Sequence, residues 1–178
     1  EHTAVAKAMA HGMGVDFVEQ DLVATADGVV VVLHDIILDN VSDVASQFPK
    51  RRRDDGRFYV IDFTYAELSR LTLHERRVPD GNALRFPGRF PHVLPAFRIE
   101  RFDAEMLLID GLNTSTGRQV GIYPEIKEPS WHGKHDIDLT RLVHDTLEAN
   151  RDRISGPVFV QSFDEHALVR MQQEFGSG

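Results

Sequence analysis

Residues 15–35 read VDFVEQDLVATADGVVVVLHD, and the fold turns on how this stretch is read. Val15, Phe17 and Val18 open an apolar run that predicts a strand over about 15–22. Thr25 to Gly28 is turn chemistry. Val29 to Asp35 is β-branched with no polar alternation, the pattern of a strand buried on both faces, as in a parallel sheet covered by helices.

Outward from there, the chain alternates. Upstream, HTAVAKAMAHGMG carries Ala6, Met9, Ala10 and Met13 at helical spacing, with Thr3 as a cap and Gly12 or Gly14 as a stop. Downstream, residues 119–127 and 156–164 read as strands. Residues 138–150 read as an amphipathic helix with Leu139, Leu142, Val143 and Leu147 on one face. Another helix follows Asp164. Between these lies an irregular middle, about 45–117, rich in Pro, Arg, Phe and Gly. It is predicted to be an insertion or small subdomain, since so long a structureless loop is foreign to a compact domain. Within it, 65–71 with Thr64 as cap and 103–112 are expected helices. Apolar strands alternating with helices predict parallel α/β, either a doubly wound sheet or a (β/α)8 TIM barrel. No GxGxxG follows a strand, which disfavours the dinucleotide-binding form.

Composition narrows the function. The 178 residues carry 20 Lys and Arg against 28 Asp and Glu, a net charge of −8. Phosphate-backbone binding needs surplus cationic side chains, so no nucleic-acid partner is expected. The basic run Lys50 to Arg53 is followed at once by Asp54 and Asp55 and reads as a solvated loop. With no cysteine, disulfide frameworks and thiolate zinc sites are excluded. No run reaches the ~18 apolar residues that a membrane helix needs.

The polar residues converge at the strand ends. In a strand, residues i and i+2 share a face. Glu19 therefore pairs with Asp21, and Glu125 with Lys127, while His34 and Asp35 close the β-branched run. In parallel α/β folds the C-terminal strand edge carries the active site. Two carboxylates about 7 Å apart repel by roughly 2–3 kcal/mol, and a third adds to this. Protonation or a bound cation relieves the repulsion. Three carboxylates without a thiolate suit a hard cation, Ca2+ or Mg2+, over Zn2+. Solvated strand-end acids, a surface Lys127–Glu125 pair and a buried His34–Asp35 pair are the plainer readings of the same residues. His132 and His135 read as solvated in a polar loop, Trp131 as a rim contact, and Asn113 in the NTS sequon as accidental.

At these residues the chain resembles the glycerophosphodiester phosphodiesterase family, in its periplasmic bacterial branch. The matching strings are EHT at 1–3, EQDLVATADGVVVVLHD at 19–35, FPGRFP at 86–91, GLNTSTG at 111–117, GIYPEIKEP at 121–129 and VQSFD at 160–164. The resemblance covers essentially the whole chain. It implies a TIM barrel with an inserted subdomain and a Ca2+-dependent hydrolase, Mg2+ being the alternative. The enzyme would cut small-molecule glycerophosphodiesters to glycerol 3-phosphate and an alcohol. Matched to the family, Glu19, Asp21 and Glu125 are metal ligands, His34 is one of two catalytic histidines, and Lys127 is a phosphate contact. Glu1 is an acidic residue of the first loop, placed at the substrate. The family's HRG strand precedes the position where this chain begins, and its closing strands lie beyond the end. The 178 residues therefore read as a partial catalytic domain, expected to be inactive by itself. A periplasmic or secreted location is implied by resemblance only. The rival readings are a surface-exposed binding protein on the same barrel, or a related phospholipase D-like or phosphoinositide phosphodiesterase. Oligomeric state and the alcohol moiety are not legible.

Overall fold

The computed structural model describes residues 2–78, 83–89, 91–94 and 96–175. Its centre is a three-stranded mixed sheet of order β2-β1-β3, where β1 is Phe17–Ala24, β2 Val30–Val32 and β3 Gly121–Ile126. β1 and β3 run parallel, with Phe17 opposite Gly121 and Asp21 opposite Glu125. Upstream of the sheet, α1 (Ala4–Gly12) is capped by Thr3, whose hydroxyl accepts from the Ala6 amide at 3.2 Å.

β2 departs from the sequence expectation. It pairs antiparallel to β1, Leu22 opposite Val32 and Ala24 opposite Val30. The two strands form a hairpin rather than successive strands of a parallel sheet. Gly28, at φ +74°, closes the turn with its amide on the Thr25 carbonyl at 3.0 Å. Why the run lacks alternation is now clear: both faces are buried, but against two different cores. Val30 and Val32 join one cluster with Val18, Leu22, Ile122 and Ile126. Val31 and Leu33 join another, built with Leu38, Phe58, Phe63, Leu68 and Ile99. The second cover is the irregular middle, not a layer of helices.

That middle has its own apolar core, scaffolded by short elements: α2 (Val44–Gln47), α3 (Tyr65–Leu68) and isolated bridges such as Ile37 to Tyr59. α3 is shorter than the predicted 65–71. Its Thr64 makes a full capping box with Glu67. The Lys50–Arg53 run is solvated, as its charge suggests, with Arg53 alone half-buried. The Arg51, Arg52 and Arg53 guanidinium groups nonetheless lie over the rings of Phe63, Phe58 and Tyr59 at 4.8, 5.1 and 4.4 Å.

α4 (Phe102–Thr116) outruns the predicted 103–112 and packs on the sheet, contributing Phe102, Met106 and Ile109 to the first cluster. It ends at Gly117, which adopts the left-handed cap conformation. Asn113 is buried in its last turn. Its amide donates to the Val120 carbonyl at 3.0 Å and its oxygen accepts the Val120 amide at 3.0 Å, so the sequon is a packing residue. After β3 come α5 (Pro129–Gly133), α6 (Leu139–Ala149) and α7 (Glu165–Phe175). α6 turns Leu139 and Val143 into the core, as its periodicity predicts. The Asp138 and Asp164 side chains accept from the first-turn amides of α6 and α7.

Residues 156–164 do not form a continuous strand. They run parallel beside β3 through bridges at Val158 and Gln161, with the Gln161 amide on the Pro124 carbonyl at 2.9 Å. Among the described residues, no helix is long and apolar enough to cross a membrane.

Candidate active site

The two faces of β1 have different fates. Val18, Gln20 and Leu22 point to the helix-covered core. Phe17, Glu19, Asp21 and Val23 point the other way. On that second face Phe17 is 39% exposed and Val23 is fully buried under the middle segment. Glu19 and Asp21 therefore sit where the sheet passes from an open face to a covered one. Tyr123 and Glu125 of β3 lie beside Glu19 and Asp21 in register, and Lys127 follows on the same side. The paired carboxylates that the spacing predicts do share one surface.

Side-chain contacts complete the cluster. Lys127 places its ammonium 2.8 Å from Glu125 Oε1 and 3.5 Å from Asp21 Oδ1. His2 Nε2 lies 2.8 Å from Asp21 Oδ2. One ligand atom each from His2, Glu19 and Asp21 falls within 4.8 Å of the others, a grouping able to hold a metal ion. This differs from the sequence expectation, which put Glu125 in that role and did not consider His2. Glu1 lies outside the described residues.

The electrostatics follow from crowding. The Glu19 carboxyl is pushed up to about 7, first by burial and then by the charge of Asp21, with Glu125 adding to it. Burial also works to raise Asp21. Hydrogen bonding and charge from His2, with Lys127 behind, outweigh it and hold Asp21 below the usual carboxylate range. Burial works to lower the Lys127 ammonium, but its hydrogen bond to Glu125 and the charge of Asp21 raise it overall. The crowding that pushes Glu19 up is what a bound cation would relieve. With oxygen donors from Glu19, Asp21 and Glu125, the residues fit a hard divalent ion.

His34 reaches the cluster by the hairpin. The Leu33 amide bonds to the Asp21 carbonyl at 2.9 Å, so the chain doubles back along β1 and delivers His34 beside the carboxylates. The His34 side chain is 49% exposed, with Nδ1 2.5 Å from Asp35 Oδ1. Asp35 Oδ2 accepts from Arg76 of the middle segment. Burial works to raise the Asp35 carboxyl, yet the hydrogen bonds from Arg76 and His34 keep it low.

His132, expected to be solvated, is fully buried. Its Nε2 accepts the Ala24 amide at 3.3 Å and its Nδ1 donates to the Glu128 carbonyl at 2.9 Å. It ties the end of β1 to the loop that carries Lys127. Glu128 there takes a positive φ of 47°, as His2 does at 55°, so strained backbone flanks the cluster on two sides. Trp131 stacks on Tyr59 at 5.4 Å and lies 4.3 Å from His135. Residue reasoning missed His2, Lys7, Glu105 and Arg76. One signal was present. Glu105 falls on the same helical stripe as Phe102, Met106 and Ile109, where a lone carboxylate is out of place.

The fold and this cluster define an α/β protein with a carboxylate-rich site on one face of two parallel strands. The chain belongs to the glycerophosphoryl diester phosphodiesterase family, whose match covers residues 1–176. It is 43% identical over 177 residues to a glycerophosphodiester phosphodiesterase of Haemophilus influenzae, covering 98% of this chain and 49% of that one. Against a glycerophosphodiester phosphodiesterase of Treponema pallidum it is 39% identical over 182 residues, covering 98% and 50%. The chain thus spans about half the length of these curated relatives. Its fold is similar to that of an Oleispira antarctica phosphodiesterase solved with the product sn-glycerol-3-phosphate. There the TM-score is 0.66 at 18% identity, covering 99% of this chain and 57% of that one.

Proposed function

We propose that this chain is part of the catalytic domain of a metal-dependent glycerophosphodiester phosphodiesterase, built as part of a (β/α)8 barrel with the middle segment inserted. The reading rests on one observation above others: Asp21 and Glu125 face each other across parallel strands beside Glu19, with Lys127 spanning the pair. The names of the two curated relatives and the product bound to the Oleispira enzyme support the substrate class.

Glu19, Asp21 and Glu125 would hold the cation, Ca2+ by the family resemblance or else Mg2+. When bound, such an ion supplies Lewis acidity at a phosphoryl oxygen. The Lys127 ammonium lies where it can turn from Glu125 to a phosphate oxygen and offset the negative charge that develops on phosphorus. Asp35 accepts a proton-bearing Nδ1 of His34, which leaves Nε2 to take or give the proton in flight. Arg76 holds Asp35 for that task. Histidine chemistry of this kind contributes about 10²–10⁴-fold to rate.

The test is release of glycerol 3-phosphate from glycerophosphocholine by the whole protein. Chelation by EDTA should abolish turnover and Ca2+ should restore it. His34→Ala should lower kcat by about 10²–10⁴-fold. Turnover indifferent to EDTA, or an undiminished His34→Ala, defeats the proposal.

A further inference from the structure

Beneath the carboxylates lies a buried polar chain that the proposed reaction does not use. Lys7 of α1 is 5% exposed and Glu105 of α4 is 2% exposed. The Lys7 ammonium contacts three groups: the Glu19 carbonyl oxygen, His2 Nδ1 at 3.2 Å and Glu105 Oε1 at 3.5 Å. Two hydrogen bonds and one ion pair hold the buried ammonium in place.

The hydrogen-bond roles at His2 then follow. A lysine ammonium only donates, and an ionised carboxylate only accepts. Nδ1, facing Lys7, must therefore accept, and Nε2, facing Asp21 Oδ2 at 2.8 Å, must donate its proton. Coordination to a metal needs an imidazole lone pair. The single lone pair of this tautomer points at Lys7, although the ring lies within 4.8 Å of the Glu19 and Asp21 oxygens. We propose that Lys7 is a specificity-determining positioning residue: by occupying Nδ1 it keeps His2 out of the coordination shell and leaves an all-oxygen site for a hard cation. His2 then serves Asp21 as a hydrogen-bond donor, and Glu125 is the third oxygen ligand. Released from Lys7, the ring would offer a nitrogen to borderline ions such as Co2+. This rests on the metal-site reading above.

The experiment compares the whole protein with Lys7→Met, which keeps an unbranched stem and removes the donors. The double variant Lys7→Met/His2→Phe and the single His2→Phe serve as controls. Each is titrated calorimetrically with Ca2+ and with Co2+. The Co2+ forms are then inspected by proton NMR for a paramagnetically shifted imidazole N–H. The wild type should show no such resonance that His2→Phe removes. Lys7→Met should show one and should raise Co2+ affinity relative to Ca2+ by about tenfold or more, the worth of one modest ligand. The double variant should lose both gains. A His2 resonance already present in the wild type overturns the proposal, as does an unchanged selectivity in Lys7→Met. Should Lys7→Met fail to fold, two-bond proton–nitrogen correlation on the Ca2+-loaded wild type decides: an unprotonated His2 Nδ1 supports the proposal and a protonated one overturns it. Absence of any cation binding to the wild type is a separate outcome, which removes the metal-site reading together with this one.

Discussion

Glu105 shows how a single buried carboxyl sets a pH response. Burial pushes it up to about 7, against the opposing charge of Lys7. A carboxyl raised above its unfolded value stabilises the fold fully below the unfolded pKa, and that contribution is lost as pH rises through the folded value. Between about pH 4.5 and 7 the folded protein binds the extra proton, so stability falls as pH rises, by up to about 3 kcal/mol. His132 acts in the opposite sense. Burial lowers its pKa, so its contribution grows with pH below about 6.5 and is complete above it, where the unfolded imidazole too has given up its proton. Glu105→Gln should remove the first slope and expose the second. Melting temperatures at pH 5 and pH 8 measure this: the variant should lose less stability at the higher pH than the wild type does. A second substitution tests His132 directly. His132→Leu strands the buried Ala24 amide, at about 1–3 kcal/mol, while the Glu128 carbonyl keeps the Trp131 and His132 backbone amides. Chemical denaturation should show the loss at neutral pH.

Among the elements, the hairpin is the part whose geometry decides the site. Its strands leave the open sheet face and enter the core of the middle segment, and the return leg sets His34 beside Asp21. On the other side of the sheet, residues 156–164 dock on β3 through close backbone approach. A methyl group added at Gly156 would meet the Val120 carbonyl oxygen at 2.3 Å, and one at Gly121 would meet the Phe17 ring at 2.5 Å. The first clash is with backbone, which yields less readily than a side chain. Gly156→Ala should therefore destabilise by about 1–3 kcal/mol and loosen this segment. Hydrogen exchange should quicken at the Gln161 amide, which bonds to Pro124, while α4 amides stay protected. Uniform quickening across the sheet would show that the segment is not a separable unit.

For the whole molecule, the open sheet face is the dominant physical feature. Phe17 and Tyr123 are each 39% exposed, Phe159 is 56% exposed and Phe163 92% exposed, so apolar rings border the carboxylate cluster. Such a surface favours association. A polypeptide of these 178 residues should bind a hydrophobic dye and self-associate with rising concentration in light scattering. Phe159→Ser with Phe163→Ser should reduce both. What the chain determines without its tertiary structure is whatever covalent geometry enforces within one strand or helix. Alternation put Glu19 with Asp21 and Glu125 with Lys127. Local chemistry put Thr3, Thr64, Asp138 and Asp164 at helix starts. Long-range packing decided the rest. An unbroken run of valines says that both faces are covered but not by what, so a hairpin under an insertion and a parallel strand under helices read alike. Lys7 and Glu105 lie 98 positions apart in sequence, and no periodicity links them; only the packing of α1 on α4 brings their charges together. Nor could spacing show that His132 is a buried tie, or that Arg76 reaches Asp35. Those pairings depend on where the middle segment closes over the sheet, and that is set by the sum of many apolar contacts rather than by any residue's own neighbours.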